Sequence, residues 1–350
     1  RAHQVLRCDI TARIEVCQRA GYTQDAVVGA GAEVHLADRG AQCRLAAAAQ
    51  GAPLLHGAWR HLGVAADVRA LESFALNAPG LFDPGAGLKN GDRVVGITRF
   101  GGYASSLAVD AQQVWRAPEG WTFEEAAAFP AVYLTAWYAL HRAARVHPGE
   151  TLLVHSAAGG VGNALIQLAR VAKCRTVAIV GSPDKTALPR ELGADAVVVR
   201  DKGGSFWSQV DAAAPHGFDA VFDANGVSTL RPGYDRLAPG GRLVVYGFAD
   251  MLSRGRDRAN RIGMAFGYFR MPSFNPLELT RLNRTVSGFN VVYLFNKPDL
   301  AAQAMGEMLA WVKEGKVRAP KVTAFPVEEV AQAHKAIESG STTGKLVLTF

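Results

Sequence analysis

Paired cysteines are the first absence. Cys8, Cys17, Cys43 and Cys174 include no C-x2-C pair, which argues against a structural zinc site and against a disulfide framework. Cys174, between a predicted helix and the next strand, reads as a small buried residue. Lysine is scarce, with ten residues and none before Lys89, so 28 of the 38 basic side chains are arginine. No apolar run approaches the roughly 18 residues of a membrane span. No cleavable signal pattern opens the sequence either, so a cytoplasmic protein is expected. The formal charge of +7 lacks a focus, because its only dense cluster is Arg254, Arg256, Arg258 and Arg261. Without a nucleic-acid reading motif that cluster reads as a solvated flank, and nucleic acid is not an expected partner.

What is present points to a soluble α/β chain. Hydrophobic residues make up 49% and charged ones 20% of 350 residues, enough for about two domains, each with its own core. The most informative stretch is TLLVHSAAGGVG, residues 151–162. Leu152, Leu153 and Val154 form an apolar run that feeds a small-residue turn, Ala157-x-Gly159-Gly160-Val161-Gly162. A helix-forming segment, residues 163–173, follows at once. Small residues let a backbone approach a pyrophosphate, and a helix N-terminus offers N–H groups and partial positive charge. The AxGxxG spacing alone is weak; its strand–turn–helix context strengthens it.

From there strands and helices alternate. Strands are expected at 151–154, 176–180, 196–199, 220–223 and 242–246, the last after the turn Pro239-Gly240-Gly241. Helices are expected at 163–173 and at 184–192, the latter closed by Gly193. Short apolar strands spaced by helices imply a doubly wound parallel sheet. Before it, residues 91–97 and 103–109 read as strands of a more β-rich module, and 121–145 as a helical connector. After it, 299–316 is an amphipathic helix bearing Ala304, Met308 and Trp311, and 345–350 a last strand returning to the first module. Near the start, residues 6–16 alternate cleanly and read as a half-buried strand. The following stretch, to about residue 86, carries no readable pattern.

Ligands of such sheets bind beyond the carboxyl ends of the strands. After the second strand, Ser182-Pro183-Asp184-Lys185 supplies a hydroxyl and an ammonium where an NAD site would place an acid, so NADP is preferred. Asp184 is expected to cap the next helix instead. Arg200, ending the third strand, is a candidate for the same 2′-phosphate. No nucleophile constellation appears. His155 reads as a packed histidine, and His141, His147, His216 and His334 as surface or cap residues.

Jointly, FGGYASSLAV, EEAAAFPAVYLTAWYAL, PGETLLVHSAAGGVGNALIQLA, ELGADAVV, FDANG, LAPGGRLVVYG and AHKAIESGSTTGKLVL resemble the zinc-free quinone oxidoreductases of the medium-chain dehydrogenase/reductase superfamily. MPSFNPLELTRLNRTVSGFNVVYLF is more similar to the vesicle-amine-transport branch of that group. The resemblance covers residues 89–350. It implies a GroES-like β-rich catalytic domain (1–130), a Rossmann NADP-binding domain (131–295) and C-terminal elements (296–350) returning to the first. It also implies NADPH, an interdomain cleft and a homodimer. By motif, Thr135 would approach the nicotinamide, and Ala157, Gly159, Gly160, Val161 and Gly162 the pyrophosphate. Ser182, Lys185 and Arg200 would surround the 2′-phosphate. Asn225, Gly226, Tyr246, Gly247 and Phe248 would flank the ribose and nicotinamide. The cysteine–histidine pair and four-cysteine run of zinc-dependent relatives are not visible. Residues 17–86 depart from the family, either strongly diverged or translated from a shifted reading frame.

The leading expectation is an NADPH-dependent reductase of quinones or α,β-unsaturated carbonyls, small electrophiles received against a flat wall of Phe100, Tyr133 and Phe248. The residue that moves the proton is not identifiable. A second reading is a nucleotide-binding protein with little turnover that touches membranes or partners through the arginine cluster and Ile262, Met264, Phe266, Tyr268 and Phe269. An NAD-linked zinc alcohol dehydrogenase is a weaker third.

Overall fold

The computed structural model describes residues 35–38, 41–44, 72–77 and 294 as backbone. It describes 88, 91–98, 102–103, 109–201, 203–249, 270–293 and 297–350 with their side chains. The expected strand at 6–16, Phe100, residues 104–108 and the segment 250–269 with its arginine cluster lie outside the described residues.

Strands β1 (His35–Asp38) and β2 (Ala41–Arg44) form an antiparallel pair. β3 (Glu72–Asn77), β4 (Arg93–Thr98) and β5 (Val114–Arg116) form an antiparallel sheet with β4 in the middle. Helix α1 (Phe123–Ala128) begins with a capping box in which Thr122 and Glu125 satisfy each other's backbone N–H. Pro130 then starts α2 (Pro130–Trp137), which widens into a π-helical turn over Tyr138–Ala144 and stops at Arg145 in the left-handed region.

β6 (Thr151–Val154) opens the doubly wound part, followed by α3 (Gly160–Val171) and β7 (Arg175–Val180). Next come α4 (Ala187–Glu191), β8 (Ala196–Val199), α5 (Phe206–Ala213), β9 (Phe218–Asp223) and α6 (Leu230–Asp235). β10 (Leu237–Val245), α7 (Pro276–Leu282) and β11 (Thr285–Gly288) complete it. The six strands run parallel in the order β11-β10-β9-β6-β7-β8. The order reverses between β6 and β9, the switch point of a Rossmann sheet. α8 (Pro298–Lys313), β12 (Val322–Pro326), α9 (Val330–Ser339) and β13 (Lys345–Thr349) follow, and β13 pairs in parallel with β12.

The sheet is apolar on both faces because both are covered. Leu152, Val154, Ala178, Val180, Ala220 and Phe222 pack toward α2, α3 and α8. Leu153, Val177, Ile179 and Val221 pack toward α5 and α6. Each fully buried large side chain contributes about 1.5–3 kcal/mol relative to exposure, which is why these strands read as continuous apolar runs rather than alternating ones.

Four local expectations change. α3 starts at Gly160, not residue 163, because Gly159 is its extended N-cap and the glycines themselves form the first helical turn. Low glycine propensity hides this in sequence. Asp184 caps no helix: it lies inside the 3-10 turn Pro183–Lys185, and its carboxylate accepts from the Ser182 hydroxyl. Pro239-Gly240-Gly241 is a bulged part of β10 rather than a turn preceding it. Cys174 is half-buried, its thiol directed at the His147 carbonyl. His141 is not a surface residue but packs between Trp137 and Trp311.

Candidate active site at the sheet switch point

The turn between β6 and α3 is built by exclusion of side chains. A Cβ on Gly162 would lie 2.5 Å from the Ser156 carbonyl oxygen and 2.6 Å from Ala157 Cα. A Cβ on Gly160 would meet Val132 Cγ1 at 3.0 Å. Gly159, as N-cap, offers no side-chain acceptor. No side chain caps the first turn of α3, and the helix is twelve residues long, long enough to present a full terminal dipole to an anion.

Neighbouring loops are tied to this turn. Ser156, in the left-handed region at φ 51°, donates its hydroxyl to Asn225 Oδ1 at 2.7 Å. Ala157 N–H donates to Ile179 at the end of β7. Asp223, fully buried, accepts from the N–H groups of Asn225 and Gly226 at 2.7 and 2.9 Å and so folds the loop after β9. Gly226, at φ 102°, lets Phe248 lie against its backbone, where a Cβ would approach Phe248 Cδ1 to 2.9 Å. Ala249 N–H closes on the Ala224 carbonyl. Ala157, Gly159, Gly160, Val161, Gly162, Asn225, Gly226, Tyr246, Gly247 and Phe248 thus gather at the ends of β6, β9 and β10.

Three buried polar atoms of these residues and of α3 have no hydrogen-bond partner among the described residues: Asn225 Nδ2, Asn163 Oδ1 and the Tyr246 hydroxyl. Burial, and secondarily the Asp223 charge, pushes the Tyr246 phenol well above its ordinary range, so it stays protonated. His155 is fully buried as expected of a packed histidine, with Nε2 at 3.9 Å from Asp223 Oδ2.

At the end of β7 the expected trio separates. The Arg200 N–H donates to the Val180 carbonyl, which sets Arg200 beside the turn that carries Ser182. Ser182 gives its hydroxyl to Asp184, holding that carboxyl below its ordinary value. Lys185 departs from expectation: it is 8% exposed, and its ammonium donates to the carbonyls of Gly340 and Thr342.

Thr135 lies one helical turn beyond Val132, the contact of Gly160, and returns its hydroxyl to the Ala131 carbonyl at 2.7 Å. Tyr133 is not a pocket wall. It is 1% exposed and forms a buried staple: Gln167 donates to its hydroxyl at 2.6 Å, and that hydroxyl reaches the Arg318 carbonyl. The reason is helical phase, since Tyr133 points to α3 while Leu134 and Tyr138 point away. Those two line a cavity of about 150 Å³ with Ile97, Trp115, Val291 and Leu300. An aromatic stack, Tyr138–Phe289–Tyr246, links that cavity to the switch point.

Sequence reasoning placed Ser156 in the segment after β6 without its bond to Asn225, and gave no role to Asp223 and Gln167. Asp223-x-Asn225-Gly226 is a local signal, an acid two and three residues before the amides it accepts; Gln167 has none. Among the described residues no group of three or more His, Cys, Asp or Glu could hold a metal ion, and no helix is long and apolar enough to cross a membrane.

A family model described as zinc-binding dehydrogenase matches residues 192–348. The human synaptic vesicle membrane protein VAT-1 homolog is 33% identical over 260 residues, 74% of this chain and 65% of that protein. The chain thus spans less than two thirds of that curated relative. Mycobacterial Rv1454c, solved in complex with NADPH, superposes with TM-score 0.67 at 25% identity, covering 80% of this chain and 82% of that one. Escherichia coli quinone oxidoreductase complexed with NADPH gives TM-score 0.63 at 23% identity, covering 75% and 76%, and speaks for the fold alone.

Sheet order, turn and neighbours define the class first: a Rossmann domain joined to a GroES-like β-rich domain. Within that class the chain is similar to the zinc-binding-dehydrogenase-like medium-chain dehydrogenase/reductases, with a VAT-1 homologue and NADPH-complexed quinone oxidoreductases among its relatives and neighbours.

Proposed function

We propose that the protein is an NADPH-dependent oxidoreductase that reduces quinones or α,β-unsaturated carbonyls without zinc. The observation that carries the reading is the cradle at Gly162, which no side chain can occupy, under the uncapped first turn of α3. The partnerless Asn225 Nδ2 beside it is a donor fitted to the same ligand. Bound NADPH supplies the hydride to an electrophilic carbon.

The chain's own residues hold and orient. Gly160, Val161 and Gly162 offer amides to the pyrophosphate, with Ala157 and Gly159 shaping the turn. Thr135, Asn225, Gly226, Tyr246, Gly247 and Phe248 surround the ribose and nicotinamide. Ser182 and Arg200 receive the 2′-phosphate once Ser182 turns from Asp184. The acceptor is assigned to the cavity beside Leu134 and Tyr138, whose Trp115 and Tyr138 suit a flat apolar ring. In this reading 1–130 is the catalytic domain, 131–295 the coenzyme domain and 296–350 the return, in a cytoplasmic homodimer that light scattering would size.

Fluorescence titration with NADPH and NADH tests the cofactor, and NADPH oxidation by a quinone and an enone tests the reaction. Equal affinity for both nucleotides would sink the cofactor assignment. Tight NADPH binding with no acceptor turned over would favour the second reading, a membrane- or partner-associated nucleotide binder, for which the name of the human relative speaks. Salt-sensitive flotation with anionic liposomes would then support it.

A further inference from the structure

Asp223 folds the loop after β9 with one carboxylate oxygen and leaves the other to be matched. Oδ1 accepts from the N–H groups of Asn225 and Gly226 at 2.7 and 2.9 Å, whereas Oδ2 has no hydrogen-bond partner. The side chain is completely buried. A carboxylate stripped of water calls for an opposite charge or a proton directed at it. The basic group within 4.0 Å of it among the described residues is His155, whose Nε2 stands 3.9 Å from Oδ2 and which is buried just as deeply.

That distance is beyond a hydrogen bond, so charge and dipole act across it. With a proton on Nε2 the ring turns a positive edge to the carboxylate; with a lone pair there, two acceptors would stand face to face. Around the pair, the Trp207 ring meets the imidazole edge-on at 5.9 Å, and a Cβ on Gly233 would lie 3.9 Å from Nε2. Arg236 lies over the same Trp207 ring, but its guanidinium is paired with Asp211 at 2.6 Å. Burial first, and then the Asp223 charge, keep the Tyr246 phenol protonated. Residues 155 and 156, directly after β6, thus hold one loop twice. Ser156 donates to Asn225 Oδ1 at 2.7 Å, and His155 faces the acid that folds the loop. The His155 N–H donates to Phe222 O at 3.0 Å, which fixes this segment beside β9.

We propose that His155 is a positioning residue: with its proton on Nε2 it balances the Asp223 carboxylate, so that the acid can hold the loop of Asn225 and Gly226 in place. The pairing stands on the geometry above; only its expression in nucleotide affinity rests on the proposed function.

The test is amide hydrogen exchange of the full chain, without nucleotide, in His155→Leu, His155→Gln, Asp223→Asn and the double variant of His155→Leu with Asp223→Asn. Leucine removes the ring N–H, glutamine returns an N–H donor, and asparagine keeps an oxygen for the two amides but not the charge. The pairing predicts that exchange at Asn225 and Gly226 rises roughly tenfold or more in His155→Leu and less than about threefold in His155→Gln. In the Asp223→Asn background, His155→Leu should add less than about twofold. Equal exchange in the leucine and glutamine variants, or the same rise in both backgrounds, marks a histidine that only fills space and overturns the proposal. Should the leucine variants not fold, long-range proton–nitrogen NMR of the wild-type protein at about pH 7 decides: the pairing requires a protonated Nε2, and a lone pair there refutes it. In titrations of His155→Leu the Kd values for NADPH and NADH should rise by the same factor. Failure of the wild-type chain to bind either nucleotide would reject the proposed function, and the exchange comparison would still judge the pairing.

Discussion

Gly162→Ala is the sharpest perturbation of the coenzyme cradle. The new methyl would stand 2.5 Å from Ser156 O, 2.6 Å from Ala157 Cα and 2.8 Å from Ala157 C. Ordinary contact begins at 3.4 Å, so the shortfalls are 0.9, 0.8 and 0.6 Å. All three obstacles are backbone atoms, and Ser156 is pinned by Asn225 while Ala157 is pinned by Ile179. No rotamer relieves the overlap; the turn itself must move outward. Overpacking of this kind costs about 1–3 kcal/mol. If about 2 kcal/mol of it falls on the binding conformation, affinity drops about 30-fold; if it falls on folding, the thermal midpoint drops by a few degrees. NADPH fluorescence titration and a thermal melt on the same sample read both. Gly306→Ala is the control, because Gly306 is exposed in α8 with nothing within 4 Å of its added Cβ, and it should stabilise by about 0.5–1 kcal/mol. Wild-type affinity together with a wild-type melting point for Gly162→Ala would refute the cradle.

Three further outcomes follow from the same geometry. Asp184→Asn removes a carboxylate that Ser182 holds below its ordinary pKa, so NADPH affinity should rise a few-fold, NADH affinity should hardly change, and high salt should erase the difference; an equal gain for both nucleotides would contradict the placement of the 2′-phosphate. Burial lowers the His141 pKa more than Glu307 raises it. The folded state therefore binds fewer protons than the unfolded one, and this stability, present above about pH 6.5, is lost as pH falls through the folded value. Urea midpoints between pH 7 and 5 should fall, and His141→Gln should flatten the curve; an unchanged slope speaks against it. Burial, then the Glu150 charge, pushes the Cys174 thiol up to about 11. At pH 8 a disulfide reagent followed by peptide mass spectrometry should therefore label Cys174 about a hundredfold more slowly than free cysteine, and labelling at the free rate would contradict its burial.

Legibility in the sequence tracked how local each constraint is. The run Leu152–Val154, the small-residue turn and the helix after it declare themselves because strand burial, backbone approach and helix nucleation each act within a few residues. The strands at 151–154 and 196–199 have the ends the sequence implies, since turns of fixed chemistry bound them. Where long-range packing sets a boundary, the pattern misleads. α3 begins on its glycines because the strand turn beneath tolerates no side chain, a demand that outweighs helix propensity.

Side-chain destinations belonged to tertiary structure altogether. A tyrosine in α2 is as suited to a pocket wall as to a core, and only the approach of α3 makes Tyr133 a buried partner of Gln167. A lysine after β7 suits a phosphate, until the end of α9 arrives 155 residues later in the chain and takes its ammonium. The sequence alone determined that a strand, a glycine turn and a helix would meet at a parallel sheet, because those choices are made by neighbouring backbone. Which polar groups face that turn was decided by the fold, because hydrogen bonds between distant segments depend on where the whole chain brings them.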